Sequence, residues 1–432
     1  MAESGAIDDV QEDFKKPRNI LKVLGPGLIT GASDDDPSGI ATYSQAGAQF
    51  RYDAGWLLLL SWPLMCAIQE ISARIGRVTG KGIAGNLAQH YPRLLLATIV
   101  TLLLTANTIN LGADLGAMAA GLQLVTGGPR LLYVVLFGLL SAGLQIFVKY
   151  DRYVFFLKWL TLALFAYVAV ALTVHVPWPA VAVRLVVPHV QWSADYLTVV
   201  VAILGTTISP YLFFWQAEEE VEEVKETDGA KPLKRAPRQA GPEFRRIRID
   251  TYVGMALSNM VALFIVITCA ATLAAHGVTN IQTSAQAAEA LRPIAGPLAF
   301  VVFALGIVGT GLLAVPVLAG SAAYALGEAM GWHVGLARSF GRAREFYLAL
   351  AAATAIGAGL NFTPIDPIKA LFWSAVINGV VAVPVMVMMM LLAVRPKVMG
   401  PFVLPWPLAA LGWASTGVMV VAAIGMFATF GH

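Results

Sequence analysis

Apolar residues along this chain neither alternate with polar ones nor recur every third or fourth position; they come in long blocks parted by short polar connectors. The blocks cover 24–50, 56–71, 94–124, 131–148, 153–176, 196–217, 252–275, 298–326, 346–360, 368–394 and 404–430. A helix needs about 20 apolar residues to cross the hydrocarbon layer, so this pattern predicts an all-α membrane protein of about eleven transmembrane helices.

Two blocks are interrupted by residues that an unbroken bilayer helix does not carry. In the first, Ser33-Asp34-Asp35-Asp36-Pro37-Ser38-Gly39 precedes the return of apolar residues at Ile40. Proline removes a donor and clashes with the preceding turn, which opens the helix near Asp36. Even on the lenient insertion scale each charge costs about 2.5 to 3.5 kcal/mol at a helix centre, so three adjacent carboxylates there call for water, a cation or protonation. In the sixth block, Gly205-Thr206-Thr207-Ile208-Ser209-Pro210-Tyr211 repeats the design of small polar residues followed by proline. Each break lies in the first helix of a run of five. Paired broken helices at matching places of two halves point to an inverted-repeat transporter with its site between the breaks. Carboxylates and freed carbonyls are hard oxygen ligands, suited to Mg²⁺, Mn²⁺ or Ca²⁺.

Composition narrows the classes. The chain is 58% apolar and 13% charged, about half the charge usual in soluble proteins. Its net charge of +3 gives no argument for nucleic acid, but the basic residues are unevenly placed. With a cytoplasmic N-terminus, twenty-three of the 29 Lys and Arg fall in cytoplasmic segments, five outside and Lys158 within the fifth span. That bias predicts a multi-pass protein of the plasma (inner) membrane, N-terminus inside and C-terminus outside. Cys66 and Cys269 lie in apolar blocks without a C-x-x-C companion, and the polar first twenty residues do not resemble a signal peptide. The six histidines show no zinc-hydrolase spacing, and no phosphate-binding glycine loop is present, so neither an enzyme nor an ATP-driven pump is expected.

The motifs, in order, resemble those of the Nramp family of divalent-metal transporters over nearly the whole chain. Asp36-Pro37-Ser38-Gly39-Ile40-Ala41-Thr42 is similar to the family's first-helix D-P-G-N-x-A-T, and 72–80 (SARIGRVTG) to its second-helix S-A-R-L-G-x-V-T-G. Ala113-Asp114-Leu115 is similar to its third-helix A-D-L, and the segment 205–211 to its sixth-helix G-A-T-V-M-P-H. The resemblance implies the leucine-transporter type of fold, two inverted five-helix repeats plus an eleventh helix. It divides the chain into a cytoplasmic tail (1–19), a first repeat (20–176), a second repeat (177–394) with a basic loop at 225–248, and a last helix (395–432).

Departures from the family pattern fall on its chemistry. The family's metal ligands are an Asp and an Asn of the first motif and a carbonyl and a Met sulfur of the sixth; here they map to Asp36, Gly39, Thr206 and Ser209. Exchanging thioether for hydroxyl removes the ligand that favours softer metals, which is similar to the Nramp-related magnesium transporters and implies Mg²⁺, with Mn²⁺ second. Asp36 is the expected principal ligand, Asp34 and Asp35 contribute directly or through water, and Ser38, Thr207 and Ser209 face the hydration shell. The family's sixth-helix His is Tyr211 and its third-helix Glu is Ala117. A phenol holds its proton to about pH 10 and does not shuttle it at neutrality, so uptake without proton coupling is expected. Two charges moving through about 100 mV gain about 4.6 kcal/mol, enough to drive it. A transporter of the same fold carrying a small non-metal solute with Na⁺ or H⁺ is the alternative.

Asn107, Asn110 and Asp114 share one face of the third helix, where they either line a path for ions and water or knit helices together. The same two readings hold for Asn378 in helix ten. Glu218, Glu219, Glu220, Glu222 and Glu223 follow the sixth span, as an attractor for departing cations or as a solvated helix end. No resident cofactor is expected; the partners are the cation substrate and the bilayer, without nucleic acid or ATP, around a monomer.

Overall fold

Each of the eleven apolar blocks lies on helix over most of its described length. The structure, a computed structural model, describes residues 30–31, 33–148, 161–336 and 338–430. The expected N-terminal tail, Lys158 and the start of the fifth block lie outside the described residues. In chain order the helices are α1 (Pro37–Phe50), α2 (Gly55–Thr79), α3 (Ile83–His90), α4 (Arg93–Thr126), α5 (Arg130–Phe147), α6 (Phe165–Thr173), α7 (Trp178–Val186), α8 (Ala194–Thr207), α9 (Pro210–Glu226), α10 (Ala240–Thr272), α11 (Ser284–Glu289), α12 (Ala299–Met330), α13 (Arg344–Leu360), α14 (Pro367–Ala393) and α15 (Trp406–Thr429). Among the described residues, eight helical stretches are long and apolar enough to cross a membrane, and a ninth is added if a bent pair counts as one span.

That pair is α6 and α7, bent by 118°. The sequence reading stopped the fifth span at 176 and missed α7, whose start is set by Pro177 and Pro179. Proline is tolerated in a first turn because the missing N–H would have had no partner there. Arg184 of α7 reaches Asp53, between α1 and α2, at 3.2 Å.

The basic loop is shorter than the expected 225–248. Helix α9 runs through Glu226 and α10 begins at Ala240, so Arg245, Arg246 and Arg248 are already helical. Their charges are tolerated because acids stand beside them: Arg246 lies 3.0 Å from Glu243 one turn away and 2.5 Å from Glu220 of α9. What remains of the loop is docked rather than free. Leu233 is buried, its N–H donates to the Arg77 carbonyl at 3.1 Å, and that of Lys234 donates to the Val78 carbonyl at 3.2 Å.

The long α4 forms the spine, packed against α12, α13 and α14. Helix α1 stands between α10 and α14, α8 leans on α14, and α9 lies against α2 and α12. Small residues set these distances, as expected where lipid gives helices no hydrophobic reason to associate. A Cβ on Gly205 of α8 would fall 2.1 Å from the Ala375 carbonyl oxygen and 2.5 Å from the Gly379 nitrogen. Helix α8 is thereby held close to α14 just before the second break.

Candidate functional site

The first break is built by Asp36 and Pro37. Thr30, Gly31, Ser33 and Asp34 are helical, Asp35 bends, and Asp36 is extended (φ −67°, ψ 169°) before α1 begins at Pro37. Asp36 caps α1: its Oδ1 accepts from the Gly39 N–H at 2.7 Å and from the Ser38 hydroxyl at 2.6 Å. A carboxylate at a helix N-terminus satisfies orphan donors and meets the positive end of the dipole.

In the second break α8 ends at Thr207 and α9 starts at Pro210. Ser209 turns its hydroxyl back onto the end of α8, donating toward the Gly205 carbonyl at 2.6 Å and the Thr206 carbonyl at 2.8 Å. Its oxygen keeps lone pairs for a cation or its water. The Thr207 hydroxyl likewise donates within its own helix, to the Ile203 carbonyl at 3.0 Å.

Helices α4, α9 and α14 supply the other side of the chamber. Asn110 donates to Asp36 Oδ2 at 3.0 Å and stands 3.3 Å from Asp114 Oδ2, while its own oxygen accepts from Asn378 at 3.3 Å. The Tyr211 hydroxyl lies 3.4 Å from Asp36 Oδ2 and 3.2 Å from the Ser33 carbonyl. Asp36, Ser38, Gly39, Asn110, Asp114, Tyr211 and Asn378 are therefore one connected polar group, all of whose polar side chains are buried. Asn107 faces elsewhere, donating to the Leu318 carbonyl at 3.1 Å and to Ser321 at 2.8 Å, which ties α4 to α12.

Two residues of this region escape a reading of spacing. Tyr43 places its hydroxyl 2.8 Å from Thr206 Oγ1 and joins the two broken helices. Ser258 of α10 lies 2.6 Å from Asp34 Oδ2 and 3.2 Å from Asp35 Oδ1. Tyr43 carried a weak signal, at i+7 from Asp36 on one helical face; Ser258 carried none, being a lone serine in an apolar block. The three consecutive acids thus separate, Asp36 toward α4 and α9, Asp34 and Asp35 toward α10. Among the described residues no three acidic, His or Cys groups converge on one point.

The acidic run after the sixth span is not a solvated end: Glu218 and Glu220 are buried. Glu220 pairs with Arg246, and Arg77 lies 3.3 Å from Glu243. Glu70 and Arg74 pair one turn apart on α2 at 2.6 Å, with Arg248 at 3.6 Å from Glu70. This end of the bundle is closed. At the other end a cavity of about 490 Å³ is lined by Gln45, Gln49, Asp195, Asn280, Lys369 and Trp373 and reaches Ala41, five residues from Asp36. Asp36 itself is buried and is not among the residues that line this cavity.

Comparison with known proteins agrees with this architecture. Residues 27–429 match the model of the Nramp family, described as natural resistance-associated macrophage protein-like. The divalent metal cation transporter MntH of Deinococcus radiodurans is 28% identical over 419 residues, covering 94% of this chain and 89% of its own. A manganese transporter of Eremococcus coleocola, solved with an aromatic bis-isothiourea compound, superposes with a TM-score of 0.71 at 18% identity over 93% of this chain and 85% of that one. Mhp1 in its inward-facing conformation superposes at 0.51 with 14% identity, covering 93% of this chain and 90% of that one. The fold is of the leucine-transporter type.

Proposed function

The chain belongs to the Nramp family, and from that premise we propose that it carries divalent cations across the membrane by alternating access around Asp36, with Mg²⁺ preferred, Mn²⁺ second and no proton coupled to the movement. The observation that carries this reading is the setting of Asp36: a buried carboxylate at the point where one helix opens, facing a second opening lined by Ser209, Thr206 and Tyr211.

The donor set supports a hard, hydrated ion. Asp36 offers a carboxylate, Thr206 a carbonyl at the end of α8, and Ser209 a hydroxyl oxygen in place of sulfur. Mg²⁺ keeps several waters and takes one or two carboxylates, and the hydroxyls of Ser38, Ser209 and Tyr211 suit those waters. Asn110 and Asn378 hold Asp36 in place from the side. The relatives named above for divalent metals and for manganese support the cargo class.

Absence of proton coupling rests on Tyr211 and Ala117, which offer no group that exchanges protons readily at neutral pH. With the N-terminus in the cytoplasm, the ion-paired end containing Glu220 and Arg246 faces inward and the cavity at Gln45 faces outward. Flux in proteoliposomes, read for Mg²⁺, Mn²⁺ and Cd²⁺ with a pH dye in the lumen, tests all of it. Saturable Mg²⁺ uptake driven by a negative-inside potential, with lumen pH constant, is expected; acidification in step with uptake would refute uncoupled transport, and no divalent flux would refute the cargo.

A further inference from the structure

We propose that Asp34, Asp35 and Ser258 form a second divalent-cation seat, separate from Asp36 and occupied together with it. The inference rests on the metal-transport reading above and adds to it a second position on the same path.

Counting donors separates the two positions. Asp36 is met by four protein donors: Ser38, the Gly39 N–H, Asn110 and Tyr211. Among the described residues, Asp34 and Asp35 have between them only the hydroxyl of Ser258, which carries a single proton. Asp34 is 1% exposed and its Oδ1 has no hydrogen-bond partner among the described residues. Leaving a buried carboxylate oxygen empty costs far more than leaving it in water, so within the run of three acids the deficit lies at Asp34 and Asp35 rather than at the principal ligand; Asp114 Oδ1 on α4 is also without a partner among the described residues.

Charge gives an independent argument. Asp34, Asp35, Asp36 and Asp114 are all buried, and none makes an ion pair with Lys, Arg or His among the described residues. Ionised together, these four carboxylates without a basic partner are balanced by two divalent cations, and one cation at Asp36 leaves half of that charge to protons or a second cation.

The spacing fits a small hard ion. Octahedral Mg²⁺ with oxygens at about 2.0 to 2.1 Å has neighbouring ligands about 2.9 to 3.0 Å apart. The two oxygen–oxygen distances around Ser258, 2.6 Å to Asp34 and 3.2 Å to Asp35, bracket that edge. When a cation enters, the hydroxyl proton turns away and the Ser258 oxygen becomes a ligand; water completes the shell. Because Ser258 belongs to α10 while both acids precede α1, a cation there also bridges the first half of the broken helix to its neighbour.

The test is the number of Mn²⁺ ions bound by the purified full chain in detergent, by equilibrium dialysis with the spin–spin broadening of the Mn²⁺ signal as a second readout. Two ions per chain are expected, falling to one in Asp36→Ala and to one in the double variant Asp34→Asn/Asp35→Asn, with broadening lost in both. Ser258→Ala, a mild change that leaves Asp36 untouched, should weaken one site by at least about tenfold and leave the other unchanged. One ion per chain, lost in Asp36→Ala and unaffected by the other variants, overturns the second seat and keeps the transport reading; one ion lost in both acidic variants means a single shared site and also overturns it. Two ions that persist in Asp34→Asn/Asp35→Asn place the second elsewhere. No ion bound by the native chain defeats the metal reading itself.

Discussion

Tyr43 and Thr206 meet hydroxyl to hydroxyl at 2.8 Å and join the two broken helices beside Gly39. A Cβ on Gly39 would stand 3.1 Å from Thr206 Oγ1 and 3.2 Å from Tyr43 Cε2. The space that a side chain at position 39 would take is thus filled from the side by this pair. Gly39→Ala is expected to lower thermal stability by about 1 to 3 kcal/mol through crowding. Thr206→Ala removes half of the crowding, so thermal unfolding of both single variants and the double should give a coupling energy of about 0.5 kcal/mol or more. Strict additivity would mean that the two residues do not touch.

Ser209→Met returns a thioether to the end of α8 while deleting the hydroxyl that donates to the Gly205 and Thr206 carbonyls. Both effects favour softer metals: sulfur prefers Mn²⁺ and Cd²⁺ over Mg²⁺, and the freed carbonyls accept a less hydrated ion. Competition of Cd²⁺ against Mg²⁺ flux in liposomes should shift toward Cd²⁺ by about tenfold or more, about 1.4 kcal/mol. Asp36→Ala in the same assay should abolish flux of every divalent ion while the protein stays monodisperse.

The all-helical fold, the apolar blocks and both breaks were legible in the sequence because each rests on local chemistry: block length, proline and the cost of buried charge; of the eleven spans expected, eight or nine are long and apolar enough to cross among the described residues. Asp36, Ser38 and Gly39 were legible as a helix start for the same reason. Asn110 was visible as a polar residue in an apolar helix, but its side could not be assigned from spacing, since Asn107, only three residues away, turns to α12 instead. Ser258 and Tyr43 act through partners more than 160 residues away, at |i−j| of 224 and 163. Serine and tyrosine are ordinary in helices; nothing local marks Ser258, and Tyr43 has only its i+7 spacing from Asp36. The acids after Pro210 misled for a related reason, because the counter-charge of Glu220, Arg246, comes from another helix.

Gly205 is the tightest contact between α8 and α14, and its neighbours there are backbone atoms that cannot rotate away. Gly205→Ala should therefore part the two helices and cost several kcal/mol, seen as loss of folded protein by fluorescence-detected size exclusion. Gly417 of α15 is the control, since a Cβ there meets nothing within 4 Å. Gly417→Ala should be neutral or stabilising by up to about 1 kcal/mol, the ordinary helix-propensity gain. Equal effects at the two sites would remove close packing as the explanation.

Arg246 holds the closed end of the bundle together. It lies 2.5 Å from buried Glu220 of α9 and 3.0 Å from Glu243, while Arg77 of α2 approaches Glu243 at 3.3 Å. Removing one member of a buried ion pair strands the other without compensation and costs about 3 to 5 kcal/mol. Arg246→Ala should thus loosen α9 from α10 and α2, opening this end while leaving Asp36 and its ligands in place. Arg248, whose side chain is 60% exposed and stands 3.6 Å from Glu70, should be nearly silent when changed to alanine, as exposed pairs contribute about 0 to 1 kcal/mol. A cysteine placed at Ser72, whose hydroxyl donates to the Phe213 carbonyl on α9 in the closed end, reports the change. Its alkylation by a membrane-impermeant maleimide, applied from the side that this end faces, should rise severalfold with Arg246→Ala and stay constant with Arg248→Ala. Unchanged alkylation in both backgrounds would mean that this ion pair does not hold the end shut.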